Sequence, residues 1–548
     1  MAKLTWVMTA LALFSAFPVS AEPSKNTYIV GKRAYPNDDG PVLQSFVHDS
    51  MDAISANSDD LLYIYEHAFT GYAARLTDDQ VEALRNLPDI LSVAPDQEYT
   101  IDTTRTAHFL GIEDTMSLMG QLDGNSSAHP ESLDGLDVAE ADSNIIIGII
   151  DTGIWPEHPS FKDDGMGPVP AHWKGECVTG EQWTVENCNK KLIGARYFDK
   201  GFAAASGITS DSYALWQDTK SARDNHGHGT HVSSTAAGSE VAGAGFFGQA
   251  TGTARGMAKN ARLAMYKMCF GGGKCLISDY IAAMDKAIED GVNIISCSFS
   301  GHSMFELTSM SATAVGGWRA MERGVFMTAS AGNYGPRLAS MTNQAPWLLT
   351  VAASTLDRDY PAYITLGNGN SYEGVSFHTN GDIDDVATVG DDETIPFIAG
   401  SSVGSINCLP GQLDPELVSG KVIFCTTRGV ATKKDRADEV KNAGGRGVVF
   451  LGNLAQSQPD IFGLPVLDID SDHGGDEVFE YAKGENATVN MQFHGSRIGI
   501  PAPQMAVFSS RGPAGRVPQL LKPDVTGPGF NILAGLPPPR DPENEYNK

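Results

Sequence analysis

The chain has 548 residues, of which 41% are hydrophobic and 19% charged, with 59 Gly and 29 Pro. That composition belongs to folded globular protein rather than to disordered, collagenous or coiled-coil chains, and the length calls for several folded units. The 67 acidic and 39 basic residues give a formal charge of −28, which repels phosphate backbones and anionic lipid and excludes nucleic-acid binding.

Lys3 precedes an apolar stretch from Leu4 to Phe17, followed by Val19-Ser20-Ala21 as a small-residue cleavage site. The stretch falls short of the ~20 apolar residues a membrane helix needs. Residues 1–21 therefore read as a secretory signal peptide, and the mature protein as exported and free of the membrane.

Residues 22–102 read as a small α+β unit. Strand-like Thr27-Tyr28-Ile29-Val30, Leu61-Leu62-Tyr63-Ile64-Tyr65 and Ser92-Val93-Ala94 accompany a helix that starts near Thr77. Asp78 and Asp79 occupy its first turn, and Val81, Leu84 and Leu87 keep helical spacing. Residues 103–380 alternate apolar strands (Ile145 to Ile150, Asn293 to Cys297, Val325 to Ala331) with helical patterns such as Asp279 to Glu289. This alternation predicts a parallel sheet with helices on both faces. Residues 381–494 change to short strands with Gly, Asp and Pro turns, including Lys421-Val422-Ile423-Phe424 and Gly447-Val448-Val449-Phe450-Leu451, and read as an inserted β-rich domain. Over residues 495–548 the pattern of residues 103–380 resumes, with Met505-Ala506-Val507-Phe508 as a strand.

The strand at Ile145 to Ile150 ends in Asp151-Thr152-Gly153, and the carboxyl end of a central parallel strand is where open α/β sheets build their sites. Asp224-Asn225-His226-Gly227-His228-Gly229-Thr230-His231-Val232 opens a helical run. A His at a Gly-lined helix start, with a buried Asp from elsewhere on its second nitrogen, supplies the base and orienter of a nucleophilic triad. Three His in six residues raise zinc as an alternative. No His-Glu-x-x-His helix is present and Gly-rich spacing does not hold ligands rigidly, so no metal and no cofactor are expected. Thr328-Ala329-Ser330-Ala331-Gly332-Asn333 follows the strand at Val325 and puts an amide at the carboxyl edge of the same sheet, suited to a developing oxyanion.

Ile149-Ile150-Asp151-Thr152-Gly153-Ile154, His228-Gly229-Thr230-His231-Val232 and Ser330-Ala331-Gly332-Asn333 together resemble the Asp, His and oxyanion-Asn motifs of subtilisin-like serine proteases, in the same chain order. Trp173-Lys174-Gly175-Glu176-Cys177, Cys188 to Arg196 and Gly252 to Cys269 resemble the cucumisin-like branch of that family. The resemblance implies an α/β fold with the family's parallel sheet, an α+β inhibitory propeptide over residues 22–102 and a β-rich protease-associated insert at 381–494. It implies that Asp151 orients His228, that His228 serves as general base and then acid, and that Asn333 stabilises the oxyanion. Ser298, Phe299, Ser300 and Gly301 would pair the substrate backbone as an added strand, and Ser330, Ala331 and Gly332 would wall the adjoining pocket. The implied substrates are extended polypeptides. The propeptide would act as intramolecular inhibitor and chaperone, released by cleavage near Asp102-Thr103.

The family's nucleophile stands in a Gly-Thr-Ser-Met motif shortly after a stretch like Lys522-Pro523-Asp524-Val525-Thr526-Gly527-Pro528-Gly529, and the 548 residues hold no such motif. Ser309 in Thr308-Ser309-Met310 has Leu307 in place of the Gly, and Ser510 belongs to a strand-end turn. The expectation is a serine endopeptidase sequence that stops before its Ser and is inactive as written, with a secreted peptide-binding pseudoprotease as the alternative. Export makes disulfides Cys177 to Cys188, Cys269 to Cys275 and Cys408 to Cys425 expected. Cys297 is left as a buried thiol without chemistry. Gly271-Gly272-Gly273-Lys274 reads as a flexible loop between Cys269 and Cys275.

Overall fold

The computed structural model describes residues 25–32, 40–67, 69–95, 98–101, 143–208, 213–246, 248–301, 312–378, 392–428, 431–452, 462–515 and 517–538, together with 390 and 454. The expected signal peptide, the Asp102-Thr103 junction and Ser309 lie outside these residues.

The N-terminal unit is a four-stranded antiparallel sheet in the order Leu61–Tyr65, Gly71–Leu76, Asn26–Lys32, Ile90–Pro95. The helix Asp78–Arg85 begins at Thr77 as the sequence predicts, because Thr77 and Gln80 satisfy each other's backbone amides in a capping box. Its Val81 and Leu84 are buried against the sheet.

Seven parallel strands form the central sheet, in the order Val525–Pro528, Leu349–Ser354, Phe326–Ser330, Ile294–Cys297, Ile146–Asp151, Arg262–Lys267, Leu192–Tyr197. Ile146–Asp151 is buried at every residue, which is why its sequence is a continuous apolar run rather than an alternating one. The helix Ile277–Asp290 packs between this sheet and the N-terminal unit. Tyr65 and Ala73 of that unit share one apolar core with Ile146, Ile150, Tyr280 and Met284. The same contact is pinned by polar groups: Tyr63 Oη donates to Asp279 at 2.5 Å and Tyr65 Oη to the Ser278 carbonyl at 3.0 Å.

The β-rich unit is a closed barrel of seven strands: Pro361–Leu366, Ser371–Val375, Val466–Ile469, Gly447–Leu451, Val422–Thr426, Ile395–Ala399 and Thr488–Phe493. Pro361–Leu366 pairs with Thr488–Phe493, so the barrel reaches back upstream of residue 381. The turn Gly367-Asn368-Gly369-Asn370 joins the first two strands as a hairpin. Met505 to Phe508, by contrast, forms no strand; among the described residues only an isolated bridge links Met505 to Ser354. The segment turns instead, with Ser509 N donating to Ala506 O at 3.0 Å, just downstream of Pro501 and Pro503.

The three disulfides expected from export are formed, Cys177 to Cys188, Cys269 to Cys275 and Cys408 to Cys425. Cys297 is a buried free thiol. Among the described residues no helix is long and apolar enough to cross a membrane.

Candidate active site

Strand register assembles the site. Ile150 pairs with Cys297, and Cys297 with Ala329, so Asp151, Ser298 and Ser330 each stand one residue further along at the same carboxyl edge. The helix His228–Ala237 begins over this edge, with Gly227 at φ 105° turning the chain into it. His228 Nδ1 and Asp151 Oδ1 lie 2.7 Å apart, both side chains almost fully buried. The carboxylate, which only accepts, selects the Nδ1–H tautomer and leaves Nε2 as the basic nitrogen.

The geometry is over-determined by Asp224, a residue that the sequence alone does not single out. Its Oδ1 accepts from Thr152 Oγ1 (3.0 Å), His226 N (3.0 Å) and Gly227 N (2.8 Å), and its Oδ2 from Thr230 N (2.9 Å) and Thr230 Oγ1 (2.6 Å). Thr152 Oγ1 in turn accepts from Gly229 N at 2.8 Å. Buried Asp224 thus links the strand that carries Asp151 to the first turn of the helix that carries His228. The one signal in the sequence is a carboxylate just ahead of a helix start.

The three His do not converge on a common point. His228 faces Asp151, His231 Nε2 donates to the Ile532 carbonyl at 2.9 Å, and His226 Nδ1 accepts from the His228 amide at 3.4 Å. Burial depresses the His231 pKa to about 4, with the nearby His228 acting in the same direction and the Ile532 carbonyl against it. Among the described residues no group of three or more His, Cys, Asp or Glu is arranged to hold a metal.

Asn333 is exposed and follows Gly332, whose φ of 96° and lack of room for a Cβ beside Thr342 and Ser510 both call for glycine. The turn is held by Ser510: its Oγ accepts from Tyr334 N at 3.0 Å and its amide donates to Gly332 O at 2.9 Å. Ala331 and Gly332 are buried and Ser330 is half-buried.

Glu98–Ile101 lies between two edges, antiparallel to both. Ile101, Thr100 and Tyr99 pair with Phe299, Ser300 and Gly301, while Tyr99 and Glu98 pair with Cys275 and Leu276. The expected edge at Phe299 to Gly301 therefore carries an extended segment of the chain itself, and Ser298 is buried behind it. The second edge, Lys274–Leu276, stands where the sequence suggests a flexible loop. That loop is instead the tip of a hairpin in which Cys269 and Cys275 are direct cross-strand partners. Gly271 to Gly273 all have positive φ and make the turn.

Residues 142–547 match the model of the subtilase family. The chain belongs to the subtilase family. Residues 35–102 match the peptidase inhibitor I9 model, so the subtilase carries an inhibitory propeptide. Subtilisin-like protease SBT1.7 of Arabidopsis thaliana is 40% identical over 524 residues, which are 94% of this chain and 65% of the relative. Subtilisin-like protease SBT1.5 of the same plant is 38% identical, covering 89% of this chain and 61% of the relative. A CO(2)-response secreted protease from that plant is 37% identical, covering 87% and 59%. This subtilase sequence spans 59% to 65% of the length of these relatives.

Proposed function

We propose that residues 22–548 form the propeptide, the protease-associated insert and most of the catalytic unit of a secreted serine endopeptidase that cuts extended polypeptides. Asp151 orients His228 and stabilises its protonated form, His228 Nε2 takes the proton from a serine hydroxyl and returns it to the leaving amine, and Asn333 donates to the oxyanion. The observation that carries this reading is the buried 2.7 Å pair of His228 Nδ1 and Asp151 Oδ1. Glu98–Ile101, lying as an added strand on Phe299–Gly301, supports extended peptide as the substrate class, with Ser330, Ala331 and Gly332 walling the pocket beyond it. The same strand supports the propeptide as an intramolecular inhibitor that occupies the cleft.

The serine itself comes from a Gly-Thr-Ser-Met motif that these 548 residues do not contain. Loss of such a nucleophile costs about 10⁶ in kcat, the value known for subtilisin itself, so the proposed chemistry depends on that serine. The test is casein hydrolysis by residues 22–548 alone and by the same residues continued with the Ser-bearing segment of the 40% identical relative. Hydrolysis is expected only from the continued chain, blocked by a serine-directed fluorophosphonate and by His228→Ala. Equal hydrolysis by both, insensitive to His228→Ala, contradicts this reading.

A further inference from the structure

We infer that Asn343 is a positioning residue that clamps the peptide-pairing edge to the turn carrying Asn333, so that the two halves of the cleft move as one body. The inference rests on the reading of Phe299–Gly301 and Ser330 to Asn333 as the two sides of that cleft, and adds a residue to neither.

Asn343 lies in the connection between the strands Phe326–Ser330 and Leu349–Ser354 and is 2% exposed. Its single amide nitrogen donates twice, to Phe299 O at 3.2 Å and to Ser330 O at 2.9 Å. Phe299 belongs to the edge that pairs with Ile101, and Ser330 closes the strand that leads into Asn333. The two carbonyls belong to separate segments, at the carboxyl ends of the neighbouring strands Ile294–Cys297 and Phe326–Ser330.

Both partners are carbonyl oxygens, which only accept, so the NH₂ end of the side chain must face them and its orientation follows from chemistry. The residue is itself anchored: Thr350 Oγ1 donates to Asn343 O at 2.7 Å, and Thr342 N donates to Ala331 O at 2.9 Å, returning the chain to the same turn. Asn343 has φ 52°, a left-handed conformation that asparagine tolerates better than most residues. Its Oδ1 is buried without a hydrogen-bond partner, so the side chain is not held by a locally optimal network. A buried acceptor left unpaired is a cost, and the two donated bonds across the cleft are the contacts that offset it.

If the clamp sets the position of the edge, removing its donor loosens the strand that rests there without unfolding the distant barrel. Asn343→Asp keeps the volume but turns a donor into an acceptor facing two carbonyls. Asn343→Gly deletes the clamp while accommodating the positive φ, which separates the hydrogen bonds from backbone strain.

The experiment is amide hydrogen exchange on residues 22–548, comparing the unmodified protein with both variants. Expected is about tenfold faster exchange at residues 98–101 in each variant, from the loss of the two donated hydrogen bonds. The barrel strand Val422–Thr426 should be unchanged. Unaltered exchange at 98–101 in folded Asn343→Gly overturns the clamp, and so does acceleration confined to Asn343→Asp, which would report only the added charge. If Asn343→Asp does not fold, Asn343→Gly alone decides. Residues 98–101 unprotected in the unmodified protein would contradict the cleft reading itself, and the clamp with it.

Discussion

The backbone amide of Gly229 donates to the Thr152 hydroxyl at 2.8 Å, joining the residue after His228 to the residue after Asp151. The approach is so close that a Cβ on Gly229 would collide with the Gly153 backbone. Gly229→Ala must therefore lift the helix away from the strand and pull the imidazole off the carboxylate. A displacement of about 1 Å in such a site costs on the order of 10² in rate. In the continued chain that hydrolyses casein, kcat should fall by about that factor or more; an unchanged kcat would show that the close approach does not set the pair.

Asp224 is buried and accepts five hydrogen bonds from Thr152, His226, Gly227 and Thr230. Asp224→Ala leaves several buried donors unsatisfied, at a cost of about 3 kcal/mol. Urea unfolding followed by tryptophan fluorescence should show the sheet-domain transition moved to lower denaturant. Asp224→Asn should recover only part of the loss, because an amide presents two donors where only donors now point at it.

The central sheet is legible in the sequence because its strands carry the plain marks of burial: Ile146–Asp151 is apolar throughout until the carboxylate, and every one of its residues is buried. The positions of Asp151 and His228 are legible because one sits at a strand end and the other at a helix start that the local pattern fixes. Asp224 is not, since its partners include Thr152, 72 residues away, and no local rule links them. The edge Lys274–Leu276 is hidden for a similar reason. Three consecutive glycines read as slack, yet the disulfide and the pairing with Tyr99 turn them into a hairpin tip. The barrel's first strand escapes a sequence reading because its partner, Thr488–Phe493, lies far downstream.

His231 gives the fold a pH dependence of known sign. Its folded pKa, about 4, lies below the ordinary histidine value of about 6.5, so between these values the unfolded chain binds more protons. The stabilisation is complete above pH ~6.5 and is lost as pH falls toward 4, by up to about 3 kcal/mol. Urea midpoints measured from pH ~7.5 to pH ~4 should decline on acidification, and His231→Gln should flatten that decline. A variant with the same slope as the unmodified protein would remove His231 from the account.

Cys297 is buried, and burial pushes its thiol pKa up to about 12, with the Tyr280 hydrogen bond opposing the shift and the Asp151 charge adding to it. Native protein treated with iodoacetamide at about pH 8 should take up no label, and denatured, unreduced protein should take up one per chain. More than one label after denaturation would mean that a disulfide of the structure is not formed.

The pair of Asp151 and His228 is open to direct observation by nitrogen NMR of ¹⁵N-histidine-labelled residues 22–548. The His228 ring proton on Nδ1 should exchange slowly with water and disappear in Asp151→Ala. A His228 ring whose two nitrogens exchange freely, with a spectrum that Asp151→Ala leaves unchanged, would contradict that pairing.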